Sequence, residues 1–214
     1  MFPSNIRKIN SQQPEPEIIK EAAGVIRQGG VIVFPTRCLY GLGADAMNPD
    51  AVERIIEIKQ RPDDNPILVL IDSKKQLEML AARIPPAADA IMKAFWPGRV
   101  TLVFDARDNL PGLLTAQTGK IGVRLPGQPV AAAILRQING PLTGTSANLS
   151  GCPGCNRLTD LNPQIIGQVD LVLDAGTLQV GIGSTVVDVA GESPKILREG
   201  GVAASQIMES LAGI

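Results

Sequence analysis

Residues 29–43 read Gly-Gly-Val-Ile-Val-Phe-Pro-Thr-Arg-Cys-Leu-Tyr-Gly-Leu-Gly. Val31–Phe34 is a short apolar run closed off by glycine on one side and proline on the other, which predicts a buried strand. Upstream, Ile18, Ala22, Val25 and Ile26 repeat at helical spacing, and Gly29-Gly30 stops that helix. Downstream, Pro35–Gly43 reads as a loop.

The same alternation continues along the chain. Asn48-Pro49 supplies a cap residue followed by proline at the first helical position, with Val52, Ile55 and Ile56 as the buried stripe. That helix must end before Pro62. Ile67–Ile71 reads as a strand, and Ser73-Lys-Lys-Gln76 as a capping box opening a helix. Further helices are expected at 86–95, 129–138 and roughly 203–211. Further strands are expected at Val100–Phe104, Ile121–Arg124, Pro141–Thr145, Val169–Leu173, Ser184–Val189 and Lys195–Arg198. Residues 105–119 carry least pattern and read as a loop. Helices and strands in turn argue for a layered architecture around a substantial sheet.

Composition narrows the function classes. The 214 residues are 44% hydrophobic and carry a net charge of −1, so a large core is available and disorder is excluded. That balance offers no overall basic surface for nucleic acid. Residues 1–14 hold no apolar core of a leader peptide, three cysteines make no secreted disulfide framework, and a cytoplasmic protein without membrane contact is expected. There is no histidine. Ser-His-Asp and Cys-His catalysis and histidine zinc sites are therefore closed to this chain.

Five segments hold chemistry-bearing side chains. In Lys59-Gln-Arg61-Pro-Asp-Asp-Asn65-Pro66, Lys59 falls on the apolar face of its helix and points inward. Two cations at an inward helix end suit phosphate or carboxylate; they equally suit the helix C-terminal dipole. Thr143-Gly-Thr-Ser146-Ala-Asn148-Leu-Ser150-Gly151 crowds hydroxyl and amide groups after an apolar strand, where open sheets hold ligands, or where an ordinary polar turn sits. The glycines around Thr36 allow close backbone approach, yet their spacing fits neither a dinucleotide fingerprint nor a P-loop. In Lys120-Ile-Gly-Val-Arg124, the two cations share a strand face, and Arg124 suits a carboxylate or a solvated basic face. Cys152-Pro-Gly-Cys155 lies in a Gly/Pro-rich stretch, where structural thiols are favoured over redox or metal roles.

In their order and spacing these segments resemble the YrdC/TsaC family of L-threonylcarbamoyladenylate synthases. The markers are Pro35-Thr36 with Tyr40-Gly-Leu-Gly43, Lys59-x-Arg61-Pro62, Trp96-Pro-Gly98 with Thr101, Val123-Arg124-x-Pro126, Ser146-x-Asn148 with Ser150-Gly151, Gly183-Ser-Thr-Val186 through Asp188, and Leu197-Arg198-x-Gly200. They run from about residue 16 to 201. The resemblance implies an α+β fold: a YrdC-like twisted mixed β-sheet flanked by helices, with a large concave cavity, as one domain over 1–214. It implies a nucleotidyltransferase that joins L-threonine, bicarbonate and ATP into threonylcarbamoyl-AMP and pyrophosphate. Downstream proteins then transfer the threonylcarbamoyl group to tRNA, and the family's double-stranded RNA binding adds a tRNA contact.

Carried onto this chain, the resemblance implies catalytic roles for Lys59 and Arg61. It implies ATP contacts from Arg61, Asn65, Lys120, Ser146, Asn148 and Arg198. Thr36, Arg124 and Ser184 would hold threonine. Mg2+ would ride on the phosphates, with no metal ligands from the protein. Lys59/Arg61 and Ser146/Asn148, about ninety residues apart, become opposite walls of one ATP site. Arg37 stands where relatives often carry an acidic residue, and Leu70 where many carry a threonine-contacting histidine. Longer relatives add a C-terminal domain, so site closure here is expected from elsewhere in the chain or from a partner. Two alternatives use the same basic surface: an RNA-binding or ribosome-associated factor, against which the net charge of −1 argues, and a YciO-like paralogue with another activity.

Overall fold

A computed structural model describes residues 5–62 and 65–212. Asp63 and Asp64 of the Lys59–Pro66 segment, and both ends of the expected 1–214 domain, lie outside them. The first half runs β1 (Ile6–Lys8), α1 (Pro16–Arg27), β2 (Ile32–Pro35), β3 (Tyr40–Gly43), α2 (Pro49–Lys59), β4 (Val69–Leu70), α3 (Lys74–Leu80), α4 (Pro86–Phe95) and β5 (Val100–Asp105). The second half runs α5 (Gly112–Thr115), β6 (Lys120–Arg124), α6 (Pro129–Ile138), β7 (Leu142–Thr143), β8 (Thr145–Ser146), α7 (Pro163–Ile166), β9 (Leu171–Asp174), β10 (Thr185–Asp188), β11 (Lys195–Arg198) and α8 (Ala204–Glu209). No helix among the described residues is long and apolar enough to cross a membrane.

The strands form two mixed sheets rather than one, in the orders β1-β9-β2-β3-β8 and β11-β10-β5-β6-β4-β7. The expected Pro141–Thr145 strand is the seam between them. Its first half, β7, pairs with β4, and its second half, β8, pairs with β3. Gly144 makes the crossing: its N–H donates to the Leu68 carbonyl at 2.7 Å, and a Cβ at this position would lie 2.7 Å from Leu70 Cγ. The Thr143 N–H reaches the Ala44 carbonyl, and its hydroxyl accepts from the Ala44 N–H, both at 2.9 Å. The main core lies around Val33, Ile55, Val69, Leu102 and Val123, and a second layer lies beneath α1 and α6 around Ile26, Phe34, Leu70 and Ile134.

Local rules account for most elements. Asn48 Oδ1 accepts from the Asp50 and Ala51 N–H groups, capping α2. Along α1 the wholly buried stripe is Ile19, Ala22, Ala23 and Ile26, with Ile18 and Val25 at its margin. Three readings fail. Ser73 makes no cap bond, and Gln76 Oε1 accepts from the Asp72 N–H at 3.1 Å rather than from Ser73. The expected loop over 35–43 contains β3, and the expected loop over 105–119 contains α5. In β3 the glycines weaken strand propensity, yet packing demands them. A Cβ on Gly41 would approach the Thr145 carbonyl oxygen to 3.2 Å, and one on Gly43 would approach Phe34 Cε1 to 2.9 Å.

Phe34 is wholly buried, so its ring has nowhere to retreat. Gly43→Ala should therefore cost about 1–3 kcal/mol of stability through overpacking. A denaturant melt with an unchanged midpoint would show that β3 tolerates a side chain there.

Candidate active site

The site begins where α2 ends. Lys59 is 1% exposed, as its place on the apolar face predicts. Its ammonium donates to the main-chain carbonyls of Ser146 at 2.5 Å and Asn148 at 2.7 Å, and its own carbonyl accepts from the Ser150 N–H at 2.8 Å. The two pairs expected on opposite walls are thus one wall in direct contact. Desolvation, then the charge of Arg61, lowers the Lys59 pKa to about 8. One ammonium proton remains for a ligand.

Arg61 leaves the helix end and folds onto the segment behind it. Its Nε donates to the Asn65 carbonyl at 2.8 Å and a terminal nitrogen to Pro66 at 2.7 Å, with burial lowering its pKa. Asn65 contributes its backbone to that contact, with its side chain exposed. Asn148 is turned inward on its own loop: Nδ2 donates to the carbonyls of Leu149 at 2.8 Å and Cys152 at 2.7 Å. Asn148 Oδ1 and Ser150 Oγ are buried without partners.

A second cluster lies on the half-open face of the six-stranded sheet. Val103, Gly122, Arg124 and Val186 are half-buried there, while Val100, Leu102, Val123 and Val187 fill the main core on the other face. Arg124 Nε is enclosed and has no partner, and burial followed by the charge of Arg198 lowers its pKa to about 10. Arg198 donates to the Ser184 carbonyl at 2.9 Å, and Ser184 Oγ lies 2.8 Å from Thr101 Oγ1. The Leu197–Gly200 marker is fixed to Gly183–Thr185 by backbone contact: a Cβ on Gly200 would meet the Gly183 carbonyl oxygen at 2.4 Å. Thr36 closes its own turn, its hydroxyl donating to the Leu39 carbonyl at 2.6 Å, and its methyl lies beside Gly41. Gly41 pairs with Ser146, and Arg124 pairs with Leu70, which packs on Gly144, so the two clusters flank the same seam.

One expected contact, and one departure from the family pattern, are placed elsewhere. Lys120 shares the face of Arg124 as the strand alternation predicts, but it occupies the opposite end of β6, roughly 13 Å away at strand rise. There it forms an ion pair with Asp188 at 2.5 Å. Leu70 is wholly buried against Gly144, where it serves the second core layer. Cys38, Cys152 and Cys155 are all free thiols.

Among the described residues, no carboxylate forms an ion pair with Lys59, Arg61, Arg124 or Arg198. No group of three or more Asp, Glu, Cys or His side chains suits a metal ion. Four cations, three of them partly desolvated, gathered without carboxylates make a site for an anionic ligand. Sequence reading placed Thr101 and Ser150 in markers without a site role; only the hydroxyl geometry gives them one.

A family model described as Sua5_yciO_yrdC, telomere recombination, matches residues 24–200. The threonylcarbamoyl-AMP synthase of Bacillus subtilis is 40% identical over 190 residues, covering 88% of this chain and 55% of its own length. The structure of P. abyssi Sua5 complexed with L-threonine superposes with a TM-score of 0.91 at 36% identity, over 98% of this chain and 61% of that one. E. coli YciO superposes with a TM-score of 0.84 at 29% identity, over 94% of this chain and 98% of that one. The chain thus spans little more than half the length of the B. subtilis synthase and of P. abyssi Sua5.

The Asn148 amide holds its loop through two donors, and a carboxylate supplies none. Asn148→Asp should lower stability by about 1–3 kcal/mol and speed amide exchange across residues 148–152. Unchanged exchange there would mean that Lys59 alone holds the loop.

Proposed function

The chain belongs to the Sua5/YciO/YrdC family, and from that premise we propose that it is an L-threonylcarbamoyladenylate synthase acting on L-threonine, bicarbonate and ATP. The threonine amine forms a bond to the bicarbonate carbon, a carbon–oxygen bond breaks, and water leaves to give a carbamate. A carbamate oxygen forms a bond to the α-phosphorus of ATP, the bond to the β-phosphate oxygen breaks, and pyrophosphate leaves. The substrate supplies the nucleophile, so a chain without histidine needs only to position groups and stabilise charge. The observation that carries this reading is the gathering of Lys59, Arg61, Arg124 and Arg198 without ion-paired carboxylates among the described residues.

In this reading Lys59 and Arg61 meet the phosphates, with Ser146, Asn148, Asn65 and Arg198 along the nucleotide. Thr36, Arg124 and Ser184 hold threonine, Arg124 taking its carboxylate. The bond from Arg198 to the Ser184 carbonyl sets the nucleotide and amino-acid ends side by side. Lys120 can meet the nucleotide only by giving up Asp188. Mg2+ enters with the triphosphate, and the protein offers it no carboxylate cluster among the described residues. The half-open sheet face is the floor of the concave cavity this reading requires, in a cytoplasmic enzyme that hands its product to tRNA-modifying proteins. A second reading, a YciO-like protein with another activity, draws on the near-complete overlap with E. coli YciO.

Mass spectrometry of the reaction decides between them. The synthase makes an AMP-linked product only when threonine, bicarbonate and ATP are all present; pyrophosphate release indifferent to threonine would sink it. Arg61→Ala should cut turnover at least a hundredfold with the fold intact.

The pH dependence has a definite sign. The Lys59 pKa falls from its ordinary 10.5 to about 8. Between those values the unfolded chain holds a proton that the folded chain has released, so this group makes the fold more stable as pH rises. Turnover that needs the Lys59 charge moves oppositely and should halve near pH 8. A profile flat to pH 9.5 would remove that charge from the chemistry.

A further inference from the structure

Thr101 and Ser184 are 4% and 6% exposed, and their hydroxyl oxygens lie 2.8 Å apart. Either could donate, and the neighbours of each decide which. No other hydrogen-bond partner accompanies the Thr101 hydroxyl: its methyl lies near Gly122, whose other side-chain neighbours are Leu68 and Val103, and Arg124 on the next strand offers no acceptor. If Ser184 donated to Thr101, the Thr101 proton would be buried without an acceptor, at a cost of roughly 1–3 kcal/mol. Thr101 as donor turns its lone pairs toward Arg124, its donor-only neighbour on the next strand, and leaves the Ser184 proton for an anionic ligand.

The strand register fixes what that ligand side contains. Leu102 pairs with Val123, so Thr101 and Arg124 are the next residues on adjacent strands and project from the same face. On the other flank, Thr185 pairs with Val100, which brings Ser184 alongside. Arg198 meets the Ser184 carbonyl. Thr101 therefore stands between the free Arg124 guanidinium and the Ser184 hydroxyl.

We propose that Thr101 is a positioning residue: its hydroxyl donates to Ser184 Oγ and thereby aims the Ser184 proton at the amino-acid carboxylate bound by Arg124. This rests on the synthase reading. Thr101 touches no substrate and acts through Ser184 alone. A hydroxyl pair oriented in this sense presents a donor where the other orientation would present lone pairs, so it favours a carboxylate over a neutral or cationic group.

Five proteins test this: wild type, Thr101→Val, Thr101→Ser, Ser184→Ala and the Thr101→Val/Ser184→Ala double variant, which closes a cycle. Thr101→Val keeps the shape and removes the donor. It should raise KM for threonine about tenfold, with kcat and KM for ATP within twofold of wild type and the same melting temperature within a few degrees. Thr101→Ser should restore the threonine KM. In the Ser184→Ala background, Thr101→Val should change nothing further. A Thr101→Val enzyme with wild-type threonine KM, or one that costs another tenfold in the Ser184→Ala background, overturns the role. Threonine binding by calorimetry separates this failure from that of the parent reading: a wild-type chain that neither binds threonine nor makes product overturns the synthase assignment and this role with it.

Discussion

The Lys59 ammonium lies inside the protein and bridges two backbone carbonyls from a segment almost ninety residues away. Burying a cation is expensive unless its protons are taken up, and here two of the three are. The bond is reciprocal at the level of the chain, since the Ser150 N–H returns to the Lys59 carbonyl. The last turn of α2 and the 146–150 loop are thereby one rigid object. The exit direction of Arg61, the inward turn of the Asn148 amide and the enclosure of Ser150 follow from that joint.

The joint works because the sheet seam is beside it. Gly144 carries the chain from one sheet to the other in a single residue, with Leu70 too close to admit a side chain. One residue earlier the strand belongs to the six-stranded sheet, and two residues later Ser146 pairs with Gly41 in the five-stranded one. The Lys59 wall and the Arg124–Arg198–Ser184 cluster are thus held on adjoining sheets, with no mobile linker between them. Substrate-positioning geometry of this kind is where charge-stabilising enzymes gain most of their rate.

Much of this was legible from the chain. Inward placement of Lys59 follows from its spacing to Val52, and the shared face of Lys120 and Arg124 follows from strand alternation. The Asn48 cap and α6 read correctly from local signals. What escaped depends on distant partners. Gly41 and Gly43 look like loop residues until Phe34 and Thr145 crowd them into a strand. The seam at Gly144 is invisible without Leu70. Lys120 looks available until Asp188 appears at its end of the sheet. The Thr101–Ser184 pair spans 83 positions, beyond any periodicity argument.

Arg124 and Arg198 also set the energetic standing of the free protein. Burial, and then repulsion by the Arg198 charge, lowers the Arg124 pKa to about 10. Until an anion arrives, that repulsion is carried by the fold itself. Occupancy relieves it and adds binding linkage: a ligand at a hundred times its Kd contributes about 2.7 kcal/mol to stability. Differences of that size govern how long a marginally stable protein escapes unfolding and proteolysis. On the synthase reading, the lifetime of this chain in a cell is tied to the supply of its anionic ligands, so that starvation for them thins the protein as well as idling it.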